Sequence, residues 1–216
     1  MHSKGYAYGA WGMVITVVLV SLFFIFRFIP MQTRLGKRSG GALIAFIIAL
    51  FTEMYGFPLT IYLLSHWMGW KIPLDHISGH LLGDLITSLG LGNGWAIVMI
   101  VSNVLLVAGI WMIMTGWEQV YQSEGRMVTD GLYARIRHPQ YTGIFVVTLA
   151  FMIQWPTLTT LILWPFVIGM YYRLARREEE DAINEFGDAY RRYMERTPMF
   201  IPRLSGPKPG NVKGGG

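Results

Sequence analysis

Arg137 and His138 stand side by side in GLYARIRHPQYTG, residues 131–143, just ahead of a long apolar run. Tyr133 and Tyr141 flank them, and Pro139 removes a backbone donor where the apolar run begins. Charged groups beside hydrocarbon are costly unless they meet water, lipid headgroups or a ligand. A second group follows in RLARREEEDAINEFGDAYRRYMERTPMFIP, where a helix is predicted over about 173–196. Tyr172, Arg176, Glu179, Ile183, Phe186, Tyr190 and Tyr193 recur at helical spacing and are predicted to share one face. A carboxylate on such a face needs a partner or a ligand. For Glu179, Arg176 at i,i+3 is one partner and a ligand is the other.

Two further groups stand apart. Glu53, in FTEMYGFP, is the ionisable group placed within an apolar span, which makes it a functional candidate by default. It either lines a substrate cavity with Tyr55 or is a buried carboxyl bonded to a neighbouring helix. His76, His80 and Asp84 fall at i, i+4 and i+8, the spacing of metal ligands on a helix. The same stretch holds Gly79 and Gly83, which favours the polar face of an interfacial segment, and no metal is expected.

These residues need elements to hold them. The chain has 216 residues, 53% hydrophobic and 14% charged. Ordinary soluble domains are about 25% charged. Residues 5–26, 85–117 and 139–172 carry no charge, and residues 39–65 carry only Glu53. A helix needs roughly 20 apolar residues to cross a bilayer core. The expected fold is therefore an all-α integral membrane protein. Five transmembrane helices are predicted, at about 8–28, 41–66, 94–116, 140–154 and 157–173. The last two form a short hairpin turned at Gln154-Trp155-Pro156-Thr157, and a cytosolic helix follows. Pro58 is expected to kink the second span, and the third is expected to extend through GWEQVYQSEGR into the cytosol. Residues 1–203 read as one domain, with spans in 1–115 and a second unit in 116–203, and the Gly/Pro-rich tail 204–216 reads as disordered.

Five spans place 16 of the 18 Lys and Arg residues on one side, leaving Lys4 and Lys71 on the other. The excess of positive loops marks the cytosol. The N-terminus is thus expected outside, and the loop 117–138 and the C-terminus inside. The basic residues flank spans, so the net charge of +5 reports orientation, and no nucleic-acid partner is expected. Without cysteine the chain has neither a disulfide nor a thiolate metal site.

Gly131, Tyr133, Arg137, His138, Pro139, Tyr141 and Gly143, followed by Glu178, Glu179, Phe186, Gly187, Tyr190, Tyr193 and Pro202, make up two motifs around an apolar hairpin. Together they resemble the isoprenylcysteine carboxyl methyltransferase family, within the wider group of phospholipid methyltransferases. The resemblance covers about residues 115–203. It implies a methyltransferase that takes S-adenosylmethionine at the cytosolic membrane surface, with Tyr133, Arg137, His138, Pro139, Tyr141, Gly143, Glu178, Glu179 and Tyr190 as the cofactor-binding set. Arg137 and His138 suit the cofactor carboxylate, and the tyrosines offer hydroxyls or ring faces. Pro139 disfavours helix at His138, Gly143 permits close backbone approach, and the glutamates accept from ribose or amino groups.

Glu53 and Arg176 are the expected catalytic pair at the acceptor end. The acceptor is expected to be lipophilic or a small molecule that partitions into the bilayer, and a prenylcysteine carboxylate, a phospholipid amine and a small thiol all stay open. A carboxylate acceptor needs a nearby cation, which Arg173, Arg176 or Arg177 could supply; otherwise these residues anchor anionic lipid. Two rival readings share the skeleton: an NADPH-dependent membrane reductase similar to sterol reductases, and a non-enzymatic membrane subunit.

Overall fold

A computed structural model describes residues 9–28, 34–69 and 80–203. Every regular element among the described residues is a helix, without strands. They form α1 (Trp11–Phe28), α2 (Arg34–Phe51), a π-helical turn (Thr52–Gly56), α3 (Leu59–Trp67), α4 (Leu81–Ser88), α5 (Gly94–Gln122), α6 (Pro139–Gln154), α7 (Leu158–Phe186) and α8 (Asp188–Arg196). Three helical stretches are long and apolar enough to cross a membrane: Leu35–Gly56, Gly94–Gln122 and Leu158–Phe186. Trp11–Arg27 is a shorter apolar helix. Lys4, Lys71, His76 and the tail 204–216 lie outside the described residues.

Two expectations about element bounds need correction. The second apolar segment starts earlier than 41, at Arg34, and does not run unbroken to 66. It ends in the π-turn, and the chain is extended at Phe57 (φ −125°, ψ 115°) before Pro58 precedes α3. Proline disfavours helix in the residue before it and cannot continue the hydrogen-bond ladder. The helix expected over 173–196 is not a separate element. Its first half is the end of α7, which rises from the hairpin without a break to Phe186. Gly187, at φ +58°, then divides it from α8. That backbone is open to glycine and strained for other residues. The hairpin turn falls at Trp155-Pro156-Thr157 between α6 and α7, where the Thr157 hydroxyl caps α7 by accepting from Thr160 N (3.0 Å). The third helix does run on to Gln122, past its apolar stretch.

The core is built by α2, α6 and α7. Phe46, Leu50, Tyr141, Val167, Tyr171 and Ala175 are fully buried in it. α5 packs along α6, and glycines set the distance between them. A Cβ on Gly143 would lie 2.6 Å from the Gly109 carbonyl oxygen, so the two backbones nearly touch. Small residues at such crossings let membrane helices pack closely. α2 is tied to α7 where the Ser39 hydroxyl donates to Met170 O (3.2 Å). Through these contacts the start of α6, the last turns of α7 and all of α8 converge at one end of the molecule.

Candidate functional site

The loop ahead of α6 is locked before any side chain reaches outward. Gly131 sits at φ +56°, and Leu132 N donates to Gln119 Oε1 of α5 (3.3 Å). Pro139 is the first residue of α6 and leaves His138 outside it, at φ −128°, ψ 65°. The buried Tyr133 phenol donates to Gln140 Oε1 (2.9 Å), with Gly116 O at 3.3 Å. Tyr133 O in turn accepts from the Tyr193 phenol (2.6 Å). Tyr133 thus joins α5, α6 and α8.

Arg137 is held through two of its three nitrogens. Its Nε donates to Glu179 Oε1 (2.6 Å), and its Nη1 to Met194 O (3.1 Å) and Thr197 O. The backbone N–H groups of Arg137 and His138 donate to Pro198 O (2.9 Å) and Met199 O (3.1 Å). Thr142 Oγ1 donates to Phe200 O (3.0 Å). Residues 197–200 therefore lie as a strap across the loop. A buried guanidinium is tolerated because each of these bonds offsets its loss of water.

Two carboxylates from the last turns of α7 meet this loop. Glu178 accepts from the Tyr141 phenol (2.5 Å), and its Oε2 lies 3.6 Å from His138 Nδ1. Glu179 is buried, and its Oε1 receives Arg137 and faces His138 Nε2 at 3.4 Å. Its Oε2 is buried with no hydrogen bond; the exposed Arg176 guanidinium comes no nearer than 3.9 Å. Aromatic rings enclose the group. Tyr141 stacks on His138 (centroids 5.6 Å apart, planes 6° apart), Phe200 covers His138 at 5.9 Å, and Tyr171 packs on Tyr141 at 5.2 Å. Burial and the Glu179 charge push the Tyr190 phenol up to about 12, and burial raises Tyr133 and Tyr193 as well. These phenols are neutral at physiological pH. Glu178 and Glu179 thus gather around Arg137 and His138 in an acidic, aromatic-walled site.

The predicted face on the C-terminal helix is shifted. Glu179, Tyr190 and Tyr193 are buried, but Tyr172 and Arg176 are exposed. The buried side of α7 runs through Val167, Tyr171, Leu174, Ala175 and Glu179, with the half-buried Glu178 at its edge. Tyr171, Gln140 and the 197–200 strap are site residues that the motifs do not single out. Tyr171 becomes visible once α7 is read as one helix, because it lies two turns before Glu178 on the same face.

Other expected residues fall elsewhere. Glu53 Oε2 accepts from Thr60 N (2.9 Å) and Oε1 from the Thr159 hydroxyl. Thr159 is 20 residues before Glu179 on α7, about 30 Å along the helix axis. The bonded-carboxyl alternative is the one this geometry matches, and Glu53 is remote from the His138 group. Gly143 meets α5, through Gly109 and Ile113. His80 is buried, with Nδ1 2.7 Å from Gln154 O and its ring edge-on to Trp155 at 4.9 Å. Asp84 is exposed, and among the described residues no cluster of metal-ligating side chains forms.

One turn along α6 from Tyr141, an apolar cavity of about 290 Å³ opens between α1, α2, α5 and α6. Leu43, Ile47, Ile110, Ile144, Val147 and Phe151 are among its walls. Glu53 and Tyr55 do not line it.

Residues 95–185 match the family model described as the isoprenylcysteine carboxyl methyltransferase (ICMT) family. The chain is 32% identical over 158 residues to the nickel-cobalt-cadmium resistance protein NccN of Alcaligenes xylosoxydans xylosoxydans, covering 68% of this chain and 70% of that protein. It is 32% identical over 79 residues to protein-S-isoprenylcysteine O-methyltransferase of Schizosaccharomyces pombe, covering 36% of this chain and 34% of that protein. It is 24% identical over 115 residues to methanethiol S-methyltransferase of Pseudomonas sp. (strain GM41(2012)), covering 51% and 43% respectively. The chain thus spans about a third of the length of the isoprenylcysteine O-methyltransferases it matches.

Proposed function

The chain belongs to the isoprenylcysteine carboxyl methyltransferase family, and from that premise we propose that it is an integral-membrane methyltransferase. Its methyl donor in this reading is S-adenosylmethionine and its acceptor a lipophilic or small membrane-partitioning molecule. The observation that carries the reading is Glu179 Oε2, a buried carboxylate oxygen without a hydrogen bond, in an acidic site walled by Tyr141, Tyr171 and Phe200. Such an atom is costly unless a donor or cation meets it. S-adenosylmethionine carries an ammonium and a sulfonium, and this donor set fits both: carboxylates for the ammonium, ring faces for the sulfonium. The arrangement also revises the expected part of His138. With both ring nitrogens turned to Glu178 and Glu179, it serves better to hold the two carboxylates than to bind the cofactor carboxylate.

When bound, the cofactor supplies an electrophilic methyl group, transferred by in-line displacement. The chain supplies the alignment, which is worth roughly 7–11 kcal/mol when reacting groups are well oriented. Tyr141 fixes Glu178 and Arg137 fixes Glu179. Tyr133, Pro139, Gly143 and Tyr190 hold the loop and helices that carry them. The strap 197–200 keeps bulk water off the loop. Arg176, exposed beside Glu179, is the cation positioned for an anionic acceptor head. Glu53 is assigned to joining α3 and α7. The apolar cavity beside Ile144 takes the lipophilic part of the acceptor. The excess of Lys and Arg around this end favours a cytosolic site with the N-terminus outside.

The test is methyl transfer. Purified chain in detergent, given S-adenosylmethionine labelled on its methyl group, is expected to label an S-isoprenylated N-acetylcysteine, decanethiol or a phosphatidylethanolamine. Product masses then identify the acceptor. A chain that neither binds S-adenosylhomocysteine nor labels any of these would contradict the reading.

A further inference from the structure

Among the described residues, Tyr171 is the one fully buried aromatic side chain of the core with a polar atom left over. Its phenol is buried and has no hydrogen-bond partner among the described residues. A hydroxyl left so loses its water without compensation. Nothing in its surroundings requires an oxygen, because its ring packs on Tyr141 (5.2 Å) and Phe145 (6.3 Å) within an otherwise apolar core. A phenylalanine would fill the same space.

Its position gives the hydroxyl a use. The Tyr171 ring packs against that of Tyr141 (5.2 Å), and the Tyr141 phenol is committed to Glu178 (2.5 Å). On the other side, Tyr171 shares its core with Leu43, Ile47 and Ile144, which line the apolar cavity. Tyr171 therefore lies in the boundary layer of core between Tyr141 and the residues that line the cavity, without being one of those residues itself. An acceptor whose tail lies in the cavity brings its polar head to that boundary. The Tyr133 and Tyr141 phenols already donate to Gln140 and Glu178, and the unbonded Glu179 Oε2 is an acceptor, so none of these supplies a donor to an acceptor head.

We propose that Tyr171 is the acceptor-binding hydrogen-bond donor of this site, holding the polar head of a lipophilic acceptor at the mouth of the apolar cavity. This rests on the methyltransferase reading and adds the residue that orients the acceptor. The binding step is one phenol O–H to one acceptor oxygen or sulfur and involves no proton transfer.

Tyr171→Phe removes the hydroxyl and keeps the ring. Three measurements on the full chain in detergent separate the outcomes: melting temperature without ligand, S-adenosylhomocysteine affinity by calorimetry, and methyl-transfer kinetics with whichever of S-isoprenylated N-acetylcysteine or decanethiol the wild type methylates. The expected result is an unchanged or higher melting temperature, unchanged S-adenosylhomocysteine affinity, and kcat/KM for the acceptor lowered about 10-fold or more, the effect of one lost hydrogen bond. A lower melting temperature would overturn the proposal by showing that the hydroxyl is bonded inside the protein. Weaker S-adenosylhomocysteine binding would assign it to the cofactor, and unchanged acceptor kinetics would leave it without a role. If instead the wild-type chain neither binds S-adenosylhomocysteine nor methylates either probe, the methyltransferase reading itself falls, and this assignment with it.

Discussion

Arg137 shows how one side chain holds the candidate site together. It joins the loop before α6 to Glu179 of α7 and to carbonyls at the end of α8. Removing it strands a buried carboxylate oxygen and two carbonyls, and breaking such a buried pair costs roughly 3–5 kcal/mol. Arg137→Ala is expected to lower the detergent melting temperature by many degrees, and Arg137→Lys to restore only part of the loss, because an ammonium lacks the planar fork. An Arg137→Ala protein with wild-type stability would contradict this role. At this scale the sequence is informative where chemistry is unusual for its setting. Arg137, His138 and Glu179 stand out because charge beside hydrocarbon demands a reason. Tyr171 does not, since a tyrosine in an apolar helix is ordinary until its hydroxyl is found without a partner. Nor can the bonds from Arg137 to Met194 and Thr197 be read from the chain, because they depend on where the strap folds back.

The elements carry the same contrast. The α6–α7 hairpin is legible because Trp155-Pro156-Thr157 interrupts an apolar run too long for one span. The continuity of α7 is not, because the shift from apolar residues to Arg and Glu looks like an element boundary, while the backbone ladder continues wherever its bonds can form. The consequence is one of register: once α7 is continuous, Tyr171 replaces Tyr172 on the buried face. The break after α2 has a similar lesson. Glu53 looks catalytic by its burial, yet it accepts from the first turn of α3 and from α7. It acts as a cap for a helix that Pro58 forces to start anew. Glu53→Gln is expected to lower stability by about 1–3 kcal/mol, the cost of disturbing a buried hydrogen-bonded charge, while acceptor KM and kcat of the folded protein stay near wild type. A large fall in kcat at unchanged melting temperature would return Glu53 to the reaction.

In the whole molecule, the helices divide into an apolar half that meets lipid and an end where α6, α7 and α8 bring their polar residues together. The distribution of Lys and Arg is the ground for the proposed orientation. Reporter fusions after Arg38 and Arg126 are expected to read cytosol, and a fusion after Asp75 the opposite side; a cytosolic signal at Asp75 would remove the orientation. The central claim, that the Glu178–Glu179–His138 group holds S-adenosylmethionine, is tested most directly by calorimetric titration of S-adenosylhomocysteine into wild type and Glu179→Gln. Glutamine keeps a hydrogen bond to Arg137 and removes the charge. The expected result is a saturable wild-type signal and about 10- to 150-fold weaker binding by the variant, the range of a lost charged hydrogen bond. Equal affinity in the two proteins would contradict it.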